Sequence, residues 1–165
     1  GVRLEKLLHG ANHEAGRRPG TENVLGIVGL GQACWIAHRY PEGYVDRMKT
    51  LRDRLHKSLS RKLGNEAMRL NGHPEQRLPN TLSLGFRGIK ANVLLSEITT
   101  QVAASAGSAC HSGGISVSPV LKAMNVPLEW AMGTVRFSVG RQTTLQEIDR
   151  AVDIIADAVK QLQIG

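Results

Sequence analysis

The chain has 165 residues, 41% hydrophobic and 21% charged, which fits one globular domain with a possible extension and argues against disorder. No apolar run nears the roughly 20 residues of a membrane helix, so a soluble chain with no membrane role is expected, and there is no signal peptide to read; the expected location is cytoplasmic, with an organelle as the alternative. The formal charge is +7, yet the basic residues are spread along the chain without an aromatic platform, so nucleic-acid binding is not expected either.

Residues 1–21 hold Gly10, Gly16, Pro19 and Gly20 and read as loop after a short helical start. Val24, Ile27, Val28, Leu30 and Ile36 predict a helix from Glu22 to about Arg39. Gly26, Gly29 and Gly31 within it predict close packing against another backbone. Pro41-Glu42-Gly43 breaks the run. Tyr44, Met48, Leu51, Leu55, Leu59 and Leu63 then mark the apolar stripe of a second helix. Arg47, Lys49, Arg52, Arg54, Lys57, Arg61 and Lys62 fall on its other face, and Gly64 suits a C-cap.

Met68 and Leu70 suggest a short strand, and Thr81–Phe86 alternates as a longer one. Residues 90–99 read as a helix, 102–106 as a strand of small residues, and 107–114 as a loop. Pro119 opens a helix to Met124. In Thr134–Val139, Val135, Phe137 and Val139 alternate with Arg136 and Ser138, which places the arginine on the second face of a strand. Thr144-x-x-Glu147 is a capping box, followed by a helix on Leu145, Ile148, Val152, Ile155, Val159 and Leu162. The order predicts an α+β fold with a small mixed sheet covered by helices. Residues 1–40 read as an arm or the edge of another domain, and 41–165 as the α+β domain.

Three places could carry chemistry. Cys110 lies in a loop of Gly, Ser and Ala beside His111, where a second molecule could approach the sulfur closely and the imidazole could lower the thiol pKa. Cys34, in an apolar helix beside Trp35, reads instead as a buried inert thiol. Two separated cysteines give no disulfide framework and no metal-ligand spacing, so a reducing compartment and no metal site are expected. Arg136 offers a fork for a carboxylate, although a structural salt bridge or a solvated edge fits its spacing equally. Arg17-Arg18-Pro19-Gly20-Thr21 suits an anion such as a phosphate, or Thr21 is only a helix N-cap.

Four segments occur in order: residues 13–23 (His13-Glu14-Ala15-Gly16-Arg17-Arg18-Pro19-Gly20-Thr21-Glu22-Asn23), Arg77-Leu78-Pro79-Asn80-Thr81, Ser105-Ala106-Gly107-Ser108-Ala109-Cys110 and Val135-Arg136-Phe137-Ser138-Val139-Gly140-Arg141. Together they resemble the cysteine desulfurases and selenocysteine lyases, pyridoxal 5'-phosphate enzymes of the class V aminotransferase group. The resemblance implies the C-terminal small domain of a fold type I enzyme, with an N-terminal arm, residues 1–40, from the large cofactor domain. It implies that Cys110 takes sulfur as a persulfide, that Arg136 grips the substrate carboxylate with Asn80 near it, and that Thr21, with Arg18 near it, reaches the cofactor phosphate of the neighbouring subunit in a homodimer.

The substrate would be L-cysteine or L-selenocysteine and the product L-alanine. Sulfur would pass to an acceptor protein, as in iron–sulfur cluster assembly. The lysine that binds the cofactor lies, in that family, before the segment that Gly1 begins, and neither Lys6 nor Lys90 sits in the expected motif. The isolated chain is therefore expected to be inactive, and helix 22–39 to lack its packing partner. A non-catalytic sulfur acceptor or protein-binding module is the alternative reading.

Overall fold

Leu82, Leu84 and Phe86 are buried while Thr81 and Ser83 are only partly so, and this gives strand β2 (Thr81–Phe86) one face in the core. In the computed structural model, which describes residues 2, 4–39, 41–106 and 117–164, β2 pairs with β1 (Met68–Leu70) and β4 (Thr134–Ser138), and β4 pairs with β3 (Ser105–Ala106). The sheet order is β1-β2-β4-β3. The sheet expected to be mixed is antiparallel at every pairing among the described residues. The reason lies in strand order. β2 and β3 are each antiparallel to β4, so they run parallel to one another, joined through helix α4 (Ala91–Ile98), with β4 inserted between them. Alternation and a helical crossover give strand direction; they do not say which strands become neighbours.

One face of the sheet carries the main core. Leu51, Leu55 and Leu59 of α3 (Pro41–Leu63), Leu94 and Ile98 of α4, and Ile148, Val152, Ile155 and Val159 of α7 (Leu145–Ile164) cover Leu82, Leu84, Phe86, Val135 and Phe137. Pro41 opens α3, in the first turn where a missing N–H costs little. Three polar contacts join α3 to α7 and its entry: Arg47 Nη2 to the Thr143 carbonyl at 3.0 Å, Arg54 to both oxygens of Asp149 at 2.6 and 2.8 Å, and Lys62 to Asp153 at 2.7 Å. The capping box is made as predicted. Thr144 N–H donates to Glu147 Oε2 at 2.7 Å, and Glu147 N–H donates to Thr144 Oγ1 at 3.2 Å.

The second face is covered over part of its area by a smaller cluster of Leu121, Val126 and Ala131 with Trp130, from α5 (Pro119–Ala123) and the short α6 (Leu128–Ala131). Gly133 makes this packing possible. A Cβ there would lie 2.1 Å from the Phe86 carbonyl oxygen and 2.7 Å from that of Ile89.

The chain divides into two units, Gly1–Pro41 and Glu42–Gly165. In the first, the expected helical start is a single turn, α1 (His13–Gly16), in which Glu14 and Ala15 both sit at φ 53°, so the left-handed backbone stops any helix. Helix α2 (Val24–Arg39) forms as expected, but none of its side chains is buried. No described atom comes within 4 Å of a Cβ placed at Gly29 or Gly31, so the close backbone packing expected there is not made among the described residues.

Candidate functional site

Val135 and Phe137 point into the core at 0% and 4% exposure, and the pleat turns Arg136 to the opposite face. There Arg136 is exposed and its side chain makes no hydrogen bond or ion pair with any described residue. Of the readings left open by its spacing, the structural salt bridge is therefore not formed among the described residues. A free guanidinium in the middle of a sheet can take a planar carboxylate on two N–H groups. The register sets Ser83 of β2 directly opposite Arg136 on one side and Ser105 of β3 on the other.

Asn80 stands at the entry to β2. Its carbonyl accepts the Val139 N–H at 2.9 Å, which continues the β2–β4 pairing one step beyond Thr81 and Ser138. Asn80, one residue before β2, thus lies three register steps from the Ser83–Arg136 pair, about 10 Å along the sheet. The loop that delivers Asn80 is fastened to α3 by a charge that is almost wholly buried. Arg52, 2% exposed, donates from Nη1 to the Leu78 carbonyl at 2.7 Å and from Nε to Asp53 Oδ1 at 2.9 Å. Arg77 Nη2 lies 3.5 Å from the same carboxylate oxygen, while its Nε and Nη1 are buried without a partner among the described residues. Burial, then the like charge of Arg52, lowers Arg77 below an ordinary arginine. Burial, then Arg77, also lowers the nearby His56 imidazole below its usual value.

In the other unit, Asn23 rather than Thr21 caps α2, its Oδ1 accepting the Gly26 N–H at 3.0 Å. The Thr21 hydroxyl is left exposed and without a partner among the described residues. Arg18 turns back on its own turn, Nη1 donating to the Pro19 carbonyl. Cys34 is a free, exposed thiol, not the buried one expected, because α2 has no covering element in its unit. Cys110 and His111 lie outside the described residues. Among the described residues no group of acidic, His and Cys side chains could hold a metal ion, and no helix is long and apolar enough to cross a membrane.

Residues 4–151 match the class V aminotransferase family. The chain belongs to that family. This class V aminotransferase chain is 42% identical over 164 residues to a cysteine desulfurase of Gluconacetobacter diazotrophicus, covering 99% of this chain and 40% of that protein. It is 40% identical to the cysteine desulfurase NifS of Azotobacter vinelandii, with the same coverage of 99% and 40%. A solved NifS-like protein superposes with a TM-score of 0.81 at 31% identity, over 98% of this chain and 40% of that one. The chain thus spans about 40% of the length of these relatives.

The fold puts Asn80 at the entry to β2 and Arg136 on the adjacent strand β4, and Arg18 and Thr21 lie close in sequence in the other unit. Sequence reasoning missed Arg52, which it assigned to a solvated basic face. It also missed Asn71, whose side chain crosses from the end of β1 to Ser83 and Thr134. Arg52 follows Leu51 directly, at the border of the apolar stripe, and that position was the available signal.

Proposed function

We propose that this chain is the C-terminal part of a pyridoxal-phosphate-dependent cysteine desulfurase, with residues 1–40 the end of its large domain and 41–165 its small domain. The whole protein takes sulfur from L-cysteine and releases L-alanine; L-selenocysteine is the variant substrate of the same chemistry. The carrying observation is Arg136, an arginine side chain without a partner among the described residues, on a face of the sheet with no acidic strand residue, in a chain whose relatives are named cysteine desulfurases.

The residues present fit a phosphate-bearing cofactor at one end. Among the described residues Thr21 keeps a free hydroxyl near a capped helix start, and Arg18 spends one N–H on Pro19 and retains the rest of its guanidinium. In the proposed homodimer they reach the phosphate in the neighbouring subunit. Pyridoxal phosphate, when bound, supplies the electron sink that makes the substrate's C–S bond breakable. Arg136 holds the substrate carboxylate, with Asn80 about 10 Å away along the sheet. The Cys110 thiolate attacks the substrate sulfur. An S–S bond forms as the C–S bond breaks, the electron pair stays with carbon, and that carbon takes a proton to become the methyl group of alanine. Cys110 then holds a persulfide for a sulfur-acceptor protein. A cytoplasmic location suits a reduced thiol in this role.

Steady-state assays of the whole protein test this. Arg136→Gln should raise KM for L-cysteine at least tenfold, and Cys110→Ser should stop alanine release. Wild-type turnover in Cys110→Ser would overturn the proposal.

A further inference from the structure

The strand positions directly opposite Arg136, and those two residues away along its own strand, are small hydroxyl residues. Ser83 and Ser105 flank it across the ladder, and Thr134 and Ser138 stand two residues away along β4. Directly opposed residues have Cβ atoms about 4.5–5.5 Å apart, so both serine hydroxyls lie beside the arginine stem. A carboxylate has about four lone-pair sites and a guanidinium edge fills two of them. The hydroxyl of Ser83 is already oriented. Thr134 Oγ1 commits its proton to the Trp130 carbonyl at 3.0 Å, so it must accept from Asn71, which fixes Nδ2 on this side of the amide. The same Nδ2 donates to Ser83 Oγ at 3.3 Å. Ser83 therefore accepts from below and keeps its own proton to give. The Ser105 hydroxyl makes no hydrogen bond to any described residue, so among them its proton is uncommitted.

We infer that Ser83 and Ser105 complete the carboxylate site built on Arg136, donating to the oxygen lone pairs that the guanidinium leaves open. The inference rests on the reading of Arg136 as the carboxylate residue.

Titration of the 165-residue chain with L-alanine, followed by amide NMR shifts, tests it, with L-alaninol as the probe lacking a carboxylate. The expected result is a saturable shift at residues 83, 105 and 136 with L-alanine and none with L-alaninol. Ser83→Ala and Ser105→Ala should each weaken binding about three- to ten-fold, and Ser83→Thr, which keeps the hydroxyl, should restore most of the loss. The amide spectra also report whether each variant is folded. Wild-type affinity in both alanine variants, with binding lost in Arg136→Gln, would overturn the serine assignment and leave the arginine reading standing. Unchanged binding in Arg136→Gln, or no saturable shift in the unaltered chain, would overturn both.

Discussion

Arg52 is one residue of a helix, yet it holds together two parts of the molecule that are far apart in sequence. Its guanidinium is out of water, so its contacts to Asp53 and the Leu78 carbonyl have no solvent to fall back on. Arg52→Met should therefore cost about 3 kcal/mol, because a partly buried carboxylate and a carbonyl lose their partner together. Urea denaturation reads this directly, and a loss under about 1 kcal/mol would show that the loop is fastened elsewhere. His56, in the same cluster, sets a pH dependence. Its folded pKa is lowered by burial first and by Arg77 next. From about pH 6.5 down to that lowered value the unfolded chain binds a proton that the folded chain does not, so stability falls as pH falls through this window. The melting temperature should drop more between about pH 7.5 and about pH 5.5 in the unaltered chain than in His56→Gln. Equal drops would remove His56 from the account. Neither residue was legible in the sequence. A helical stripe tells which positions face the core, but a charge on its border is buried or solvated according to what packs over it, and here that is a loop from elsewhere in the chain.

At the scale of elements, strong periodicity was legible and short pieces were not. The stripe of α3, the alternation of β2 and β4 and the capping box of α7 all appear where the pattern put them. Each is long enough for the apolar period to outweigh local preference. The four-residue α6 was missed because so short a helix has no period to read; it forms because Pro127 precedes it and Trp130 and Ala131 pack beneath the sheet. The strand expected over 102–106 shrinks to Ser105–Ala106, since small residues carry little strand preference and β3 lies at the sheet edge. The seam between α6 and β2 makes a sharp prediction. Gly133→Ala places a methyl 2.1 Å from a backbone oxygen that is already pairing in the fold. The loss should be about 3 kcal/mol or more, with Arg136 displaced because it lies on the strand that Gly133 leads into. A near-neutral Gly133→Ala in chemical denaturation would contradict the close approach.

At the scale of the molecule, the unit containing Asn80 and Arg136 has its own core, whereas the unit containing Arg18 and Thr21 leaves a whole apolar helix exposed. Val24, Leu25 and Leu30 of α2 are 61%, 87% and 66% exposed. A resemblance to an enzyme's large domain predicts that this surface packs on residues outside the chain, and the exposure supports the proposed place of residues 1–40. The candidate site was legible in a different way from the fold. Arg136 was singled out by alternation, but its lack of a partner needed the structure. Thr21 was an anion candidate with a capping role as rival, and the cap belongs to Asn23. Cys110 rests on its loop composition and on the family resemblance.

The most direct test of the account is where sulfur goes. The whole protein, given L-cysteine and then digested for mass spectrometry without reductant, should carry one added sulfur atom on the peptide of Cys110 and none on that of Cys34. Sulfur on Cys34 instead, or alanine released with no sulfur on Cys110, would contradict it.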